Sequence, residues 1–335
     1  MRMHPAASAP QRITTLAGGI GGARFLRGLI AAAPEAEITV IGNTGDDIWI
    51  HGLRVCPDLD TVMYTLGGGI SEERGWGRED KTFTVKSELA DYGVEPSWFG
   101  LGDRDIATHL VRTQMLNAGY PLSAVTEALC TRWQPGVRLI PMTDERAETH
   151  VVVDHPEGGR RAIHFQEWWV RYQAQLTAHA IVLVGADDAK PAPGVIEAIE
   201  GADVVVLPPS NPVVSIGTIL QVPGIRESLR RTPAPVVGVS PIVGGRPVRG
   251  MADACLSAIG VDTTAAAVAA HYGSRRDETG ILDGWLVDES DAGDVPQVAS
   301  LGIACEARPL LMSDPTTTTA IAAAALDLAA RTAAP

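Results

Sequence analysis

The chain has 335 residues, of which 45% are hydrophobic and 20% charged, and its 40 acidic against 27 basic side chains leave a formal net charge of −13. This is a globular composition long enough for about two domains or one large α/β domain. An acidic chain repels phosphate backbones, which argues against nucleic acid as a partner, and no stretch approaches the ~18 apolar residues of a membrane span. Lys81, Lys86 and Lys190 are the only lysines. No glycine-rich loop therefore ends in Lys followed by Ser or Thr, which excludes a Walker-type P-loop. Cys56, Cys130, Cys255 and Cys305 form no C-x-x-C pair, so neither a structural zinc site nor a disulfide scaffold is expected. Residues 1–12 lack the apolar run of a signal peptide, and a cytoplasmic location is expected.

In chain order, residues 13–17 read as a short buried strand running into Gly18, Gly19, Ile20, Gly21 and Gly22. Residues 23–33 then carry helical spacing, and 38–41 read as a second strand. This order opens a doubly wound, mostly parallel Rossmann-like α/β sheet. Residues 180–184, 204–207 and 236–239 are assigned to the same sheet, with a helix at 193–199. Pro208, Pro209 and Pro241 end two of these strands at their carboxyl ends, the edge where open α/β sheets bind ligands. Residues 58–136 read as a helical insertion over the sheet within a single domain spanning 1–335, with helices at 104–118 and 122–133. Residues 138–171 read as strands around a turn at 155–159, and 316–330 as a closing helix announced by Asp314-Pro315.

The glycine run can bring main-chain N–H groups and a helix N-terminus to a phosphate. The dinucleotide fingerprint fails at its third glycine, where Arg24 stands; a cation there suits a diphosphate. Asn43, Asp46 and Asp47 follow the second strand, and Asp58 and Asp60 follow a strand-like run at 53–55. Carboxylates beside a phosphate loop suit Mg²⁺, a hard cation that prefers oxygen. Asp58 also reads as a helix N-cap and Asp46 as a turn residue, which leaves Asp47 and Asp60 as the metal or general-base candidates. Between 49 and 99 stand Trp49, Tyr64, Trp76, Phe83, Tyr92, Trp98 and Phe99, seven of the sixteen aromatic residues. Set among glycines, they read as walls for a flat ring. Asp103 can cap the helix that follows, and Arg104 in its first turn opposes the dipole and so calls for an anion. Ser210, Asn211 and Ser215 lie between prolines, in turns suited to hydrogen-bonding a base or phosphate. Strand alternation would send His164, Gln166 and Trp168 to one face, with His164 a packed histidine and not a base.

These segments together resemble the 2-phospho-L-lactate transferase (CofD/FbiA) family. The resemblance rests on LAGGIGGARF (16–25), NTGDD (43–47), CPDLDT (56–61), YTLGGGI (64–70), FGLGDRDIATH (99–109), IHFQEWW (163–169), PSNPVVSIG (209–217) and SPIVGG (240–245). Residues 109–123 and 163–172 look like the actinobacterial branch, the phosphoenolpyruvate transferases. The resemblance implies a Mg²⁺-dependent transferase of deazaflavin coenzyme factor-420 biosynthesis. A guanosine diphosphate-linked enolpyruvate or lactate would pass its acid-bearing phosphate to the ribityl hydroxyl of the deazaflavin Fo, releasing GMP. It implies Fo near Asp60, Arg104 and Trp76, the guanosine diphosphate on Gly18, Gly19, Gly21, Gly22, Asn43, Ser210, Asn211 and Ser215, and the ion on Asp47 and Asp60. A homodimer is a family expectation. YvcK-like nucleotide-sugar-binding regulators carry related motifs and are the alternative; the segments at 101–105 and 163–169 favour the enzyme. A nicotinamide dehydrogenase is disfavoured by Arg24 and by Gly42-Asn43 where an acidic residue would end the second strand.

Overall fold

The structure is a computed structural model that describes residues 11–80 and 82–333. The chain runs through β1 (Arg12–Ala17), α1 (Gly19–Ala32), β2 (Glu37–Gly42), β3 (Ile48–Ile50), β4 (Leu53–Val55), α2 (Pro57–Leu66), α3 (Thr84–Asp91), α4 (Asp103–Asn117) and α5 (Leu122–Trp133). It continues through β5 (Arg138–Pro141), β6 (Glu148–Asp154), β7 (Arg160–His164), β8 (Ala178–Val184), α6 (Val195–Glu200), β9 (Val204–Leu207), α7 (Ile216–Ile219), α8 (Ile225–Arg231) and β10 (Val236–Val239). It closes with β11 (Ile242–Val243), β12 (Arg246–Pro247), α9 (Ala252–Ala258), α10 (Ala265–Tyr272), β13 (Gly284–Val287), α11 (Val295–Ser300), β14 (Ala304–Ala307) and α12 (Pro315–Thr332).

Seven strands form a parallel sheet in the order β14-β13-β10-β9-β1-β2-β5. Its central strands are apolar on both faces because both are covered. Ile13 and Ala17 face the layer built by α1, α2, α5 and α12, whereas Leu16, Val205 and Leu207 face the layer holding α6, α8 and α10. That two-sided burial is what continuous Val/Ile runs at a period of two encode. From β1 the chain first builds outward through β2 and β5, then returns to β9 and builds the other way. The reversal between β1 and β9 opens a crevice at their carboxyl ends, the place where such sheets take ligands.

The run assigned to the main sheet at 180–184 is instead the edge of a separate antiparallel sheet, β7-β6-β8. An apolar run of this length carries no mark of which sheet it joins. The helix expected to begin at Ala23 begins at Gly19, so most of the glycine run is its first turn. Asp103 does not cap its own helix. Its carboxylate accepts from the N–H groups of Thr84 and Val85, each at 3.0 Å, and so caps α3. The closing helix is capped as its sequence announces, Asp314 accepting from Thr317 N–H at 2.8 Å. Among the described residues no helix is long and apolar enough to cross a membrane.

Candidate active site

A cavity of about 530 Å³ lies over the crevice. Its floor is the N-terminus of α1, contributed by Gly18, Gly19, Ile20, Gly21 and Arg24, with Asp46, Asp58 and the 209–215 turn beside it. Gly18 precedes the helix without a side-chain cap, and no acidic residue occupies its first turn. First-turn N–H groups beyond Gly19, whose own N–H donates to Asp58, and the positive end of the helix dipole thus face the cavity. The glycines have a second reason to be there. A Cβ at Gly21 would lie 2.5 Å from the Pro209 carbonyl oxygen, one at Gly22 2.5 Å from Ser210 Oγ, and one at Gly18 2.7 Å from Ser215. Gly19 alone of the four combines open space with a left-handed φ of +64°. Gly22 and Asn43 do not line the cavity.

Hydrogen bonds tie this floor together. Ser210 Oγ accepts from Gly18 N–H at 3.2 Å and donates to the Gly18 carbonyl at 2.9 Å, so it stitches the turn. Asn211 Oδ1 accepts from the N–H groups of Val213 (2.9 Å) and Val214 (3.2 Å). The buried Asn43 amide donates to Asp58 (2.9 Å) and to the Val214 carbonyl (3.1 Å), and accepts from Gly45 N–H (2.9 Å). Asp58 is not the N-cap that its sequence position suggests, because α2 has Cys56 there and Pro57 as its first residue. Asp58 instead accepts from Gly19 N–H and Ser215.

The four carboxylates divide into two kinds. Asp46 and Asp58 line the cavity, and no cation pairs with either among the described residues. Burial raises the Asp46 pKa well above the carboxylate range; Asp58 adds to the rise, and one Asp46 oxygen has no hydrogen-bond partner. Burial likewise raises Asp58, against hydrogen bonds from Asn43 and Gly19. Asp47 and Asp60 are held by arginines. Arg54 donates to Asp47 through Nη2 (2.9 Å) and Nε (3.2 Å), and Arg112 grips both oxygens of Asp60. Arg112 Nη1 also lies 3.1 Å from His109 Nδ1. Asp47 lies outside the cavity lining. Asp60 faces a smaller pocket of about 50 Å³ that shares Pro57, Thr61, Trp76, Phe99 and Gly100 with the main one.

The other expected residues fare unevenly. Trp76 lines both pockets. Arg104 lines neither; its half-exposed guanidinium lies 3.7 Å from Asp80. Among the described residues the cavity's cations are Arg24, Arg74 and Arg249. Of the aromatic run, Trp76 and Phe99 reach the cavity, while Tyr64 packs on Trp133 and Tyr92 is 83% exposed. Phe165 and Trp169 also line the cavity, which strand alternation continued past His164 does not reveal. There the chain turns helical and then forms a π-helical turn at Glu167–Arg171, which buries Trp168 and frees Trp169.

Main-chain N–H groups of the α1 first turn, two carboxylates that no cation among the described residues pairs with, and aromatic side chains thus line one cavity at a sheet switch point. The sequence profile described as 2-phospho-L-lactate transferase CofD matches residues 13–300, and the chain belongs to that family. It is 70% identical over 318 residues to a phosphoenolpyruvate transferase of Streptomyces griseus subsp. griseus, covering 95% of this chain and 98% of that one. It is 60% identical to the phosphoenolpyruvate transferase of Mycolicibacterium smegmatis, again covering 95% and 98%. A crystal structure of a UPF0052 family protein from Bacillus halodurans shares the fold, with a TM-score of 0.59 at 18% identity over 94% of this chain and 99% of that one.

Proposed function

We propose that the chain is a phosphoenolpyruvate transferase of factor-420 biosynthesis. It joins the enolpyruvyl-phosphate group of a guanosine diphosphate-linked donor to the ribityl hydroxyl of Fo. The hydroxyl oxygen bonds to the acid-bearing phosphorus and gives up its proton to solvent, that phosphorus parts from the bridging oxygen, and GMP leaves with the electron pair. The observation that carries this reading is 60–70% identity to enzymes of that name across 95% of the chain. Both substrates are small and water-soluble, which fits a cytoplasmic enzyme.

Displacement at phosphorus demands alignment and charge neutralisation more than covalent help. The α1 N-terminus supplies N–H donors to the diphosphate, and Arg24 adds positive charge at the same floor. The nucleoside extends along the carboxyl ends of β9 and β10, past Asn211, Ser240 and Pro241. Among the described residues no three metal-ligating side chains converge. Mg²⁺ asks for less, one or two carboxylates completed by substrate phosphates and water. Asp46 and Asp58 fit that demand, because both line the cavity without a cation of their own among the described residues and their buried charges repel each other; Asp46 and Asp47 each keep one oxygen without a partner. Asp47 and Asp60 fit it less well, since each already neutralises an arginine. Bound there, Mg²⁺ would neutralise diphosphate charge and stabilise the leaving phosphate. Asp60, in the pocket beside Trp76, then accepts a hydrogen bond from the ribityl hydroxyl.

Purified protein incubated with Fo, Mg²⁺ and each candidate donor tests the assignment by mass spectrometry. The expected product is Fo plus enolpyruvyl phosphate with one GMP released. A product formed only from the lactyl donor, or none with either, overturns it.

A further inference from the structure

The segment after β7 carries a group that the proposed chemistry leaves unused. Gln166 is only 6% exposed, yet it lines the main cavity, and its side-chain amide has no hydrogen-bond partner among the described residues. Its polar atoms are not among the fully buried orphans, so the amide opens into the cavity, where a ligand can complete its hydrogen bonds. Its backbone is well fixed. Gln166 N–H donates to His164 Nδ1 at 3.0 Å, and His164 Nε2 then donates to the Asp47 carbonyl at 3.1 Å. The π-helical turn begins at the next residue, a feature frequent at functional sites. Phe165 and Trp169 line the same cavity and stack on each other, centroids 5.9 Å apart and planes 28° apart.

We infer that Gln166 determines specificity for the acceptor ring. Its carboxamide pairs with the lactam edge of the deazaflavin, the ring N–H donating to Gln166 Oε1 and the ring carbonyl accepting from Nε2, while Phe165 and Trp169 supply the apolar wall. A primary amide offers one donor and one acceptor in a plane, which complements a cyclic C(=O)–NH edge. Guanine carries such an edge too, but the placement of the segment favours the acceptor. Val170, one residue past Trp169, packs in the cluster of Phe99 and Trp98. Phe99 is shared by the main cavity and the Asp60 pocket, where the proposed function puts the ribityl hydroxyl. This inference rests on that proposed function.

The test measures binding of Fo by its fluorescence and of GDP with Mg²⁺ by calorimetry, for the wild type, Gln166→Leu and the isosteric Gln166→Glu, each first checked for a native thermal transition. The expected result is Fo affinity about three- to tenfold weaker in both variants, the size of one or two net hydrogen bonds, with GDP affinity within about twofold. Fo methylated on its lactam nitrogen should lose affinity for the wild type but not for Gln166→Leu, a pattern that a general packing defect does not give. Unchanged Fo affinity, loss confined to GDP, or equal loss for both ligands overturns the inference. A wild type that does not bind Fo overturns the transferase reading itself, and the Gln166 assignment with it.

Discussion

Neighbouring aspartates in one short stretch behave as opposites because of what stands beside them. Asp58 is a buried carboxylate at the cavity with no cation of its own, whereas Asp60 shares its burial with Arg112. Asp58→Asn removes a repelled charge and keeps the shape. The expected result is a thermal transition at or above the wild-type value, with turnover down about a hundredfold or more, the scale on which lost electrostatic stabilisation registers; activity assays and melting curves on one preparation check both. Asp60→Asn strands the Arg112 guanidinium in the interior. Breaking one partner of a buried pair costs about 3–5 kcal/mol, so chemical denaturation of Asp60→Asn should show a loss of that order. A stable Asp60→Asn beside a destabilised Asp58→Asn would reverse the assignment. His164 adds a pH signature. Burial pushes its pKa down to about 4 from an ordinary 6.5. The unfolded chain then binds the proton that the native protein refuses, so this residue's stability contribution falls as pH drops from about 6.5 towards 4. Denaturation midpoints across that range should be less pH-dependent in His164→Gln.

The decisive element is α1, whose first turn is placed by close approach more than by side chains. Gly21→Ala would put a methyl group against the Pro209 carbonyl, which is main chain and cannot rotate away. Overpacking of this kind costs about 1–3 kcal/mol, and here it also lifts the helix N-terminus off the phosphate position. Denaturation curves should show that loss together with weakened GDP binding; native GDP affinity would mean that the approach is incidental. The order of elements at this end was legible in the sequence, since an apolar run, glycines and helical spacing are local signals. That the glycine run lies at the carboxyl end of β1, where it lines the cavity, was legible for the same reason. Less legible was what depends on partners distant in the chain. Ser210 reads as a free hydroxyl until Gly18, 192 positions away, consumes it. Asp103 reads as the cap of α4 until α3 folds beside it. The arginines that divide the four aspartates, Arg54 and Arg112, carry no local mark of their partners, and Arg104 drew attention only because it opposes a dipole.

At the scale of the whole molecule, the sheet gathers the two halves of the chain at one seam. The amino-terminal half brings α1, Asp46 and Asp58 to the carboxyl ends of β1 and β2, and the carboxyl-terminal half brings the 209–215 and 240–252 segments to those of β9 and β10. A ligand bound there contacts both halves, so its binding is linked to global stability by mass action. Linkage also separates the roles of nucleotide and ion. With Asp46 and Asp58 repelling each other, GDP alone brings its charge beside two carboxylates that no cation among the described residues pairs with, whereas Mg²⁺ bound with it would neutralise them. The expected melting curves show little shift with GDP alone or Mg²⁺ alone. Both together should give a clear rise, about 2.7 kcal/mol of added stability at one hundred times the dissociation constant. Asp58→Asn should lose the joint shift while Asp47→Asn retains it, because Asp47 answers to Arg54 and lies off the cavity. Equal shifts with and without Mg²⁺ would mean that the α1 N-terminus and the arginines hold the diphosphate unaided. The two cavity carboxylates would then need another reason for being left unpaired.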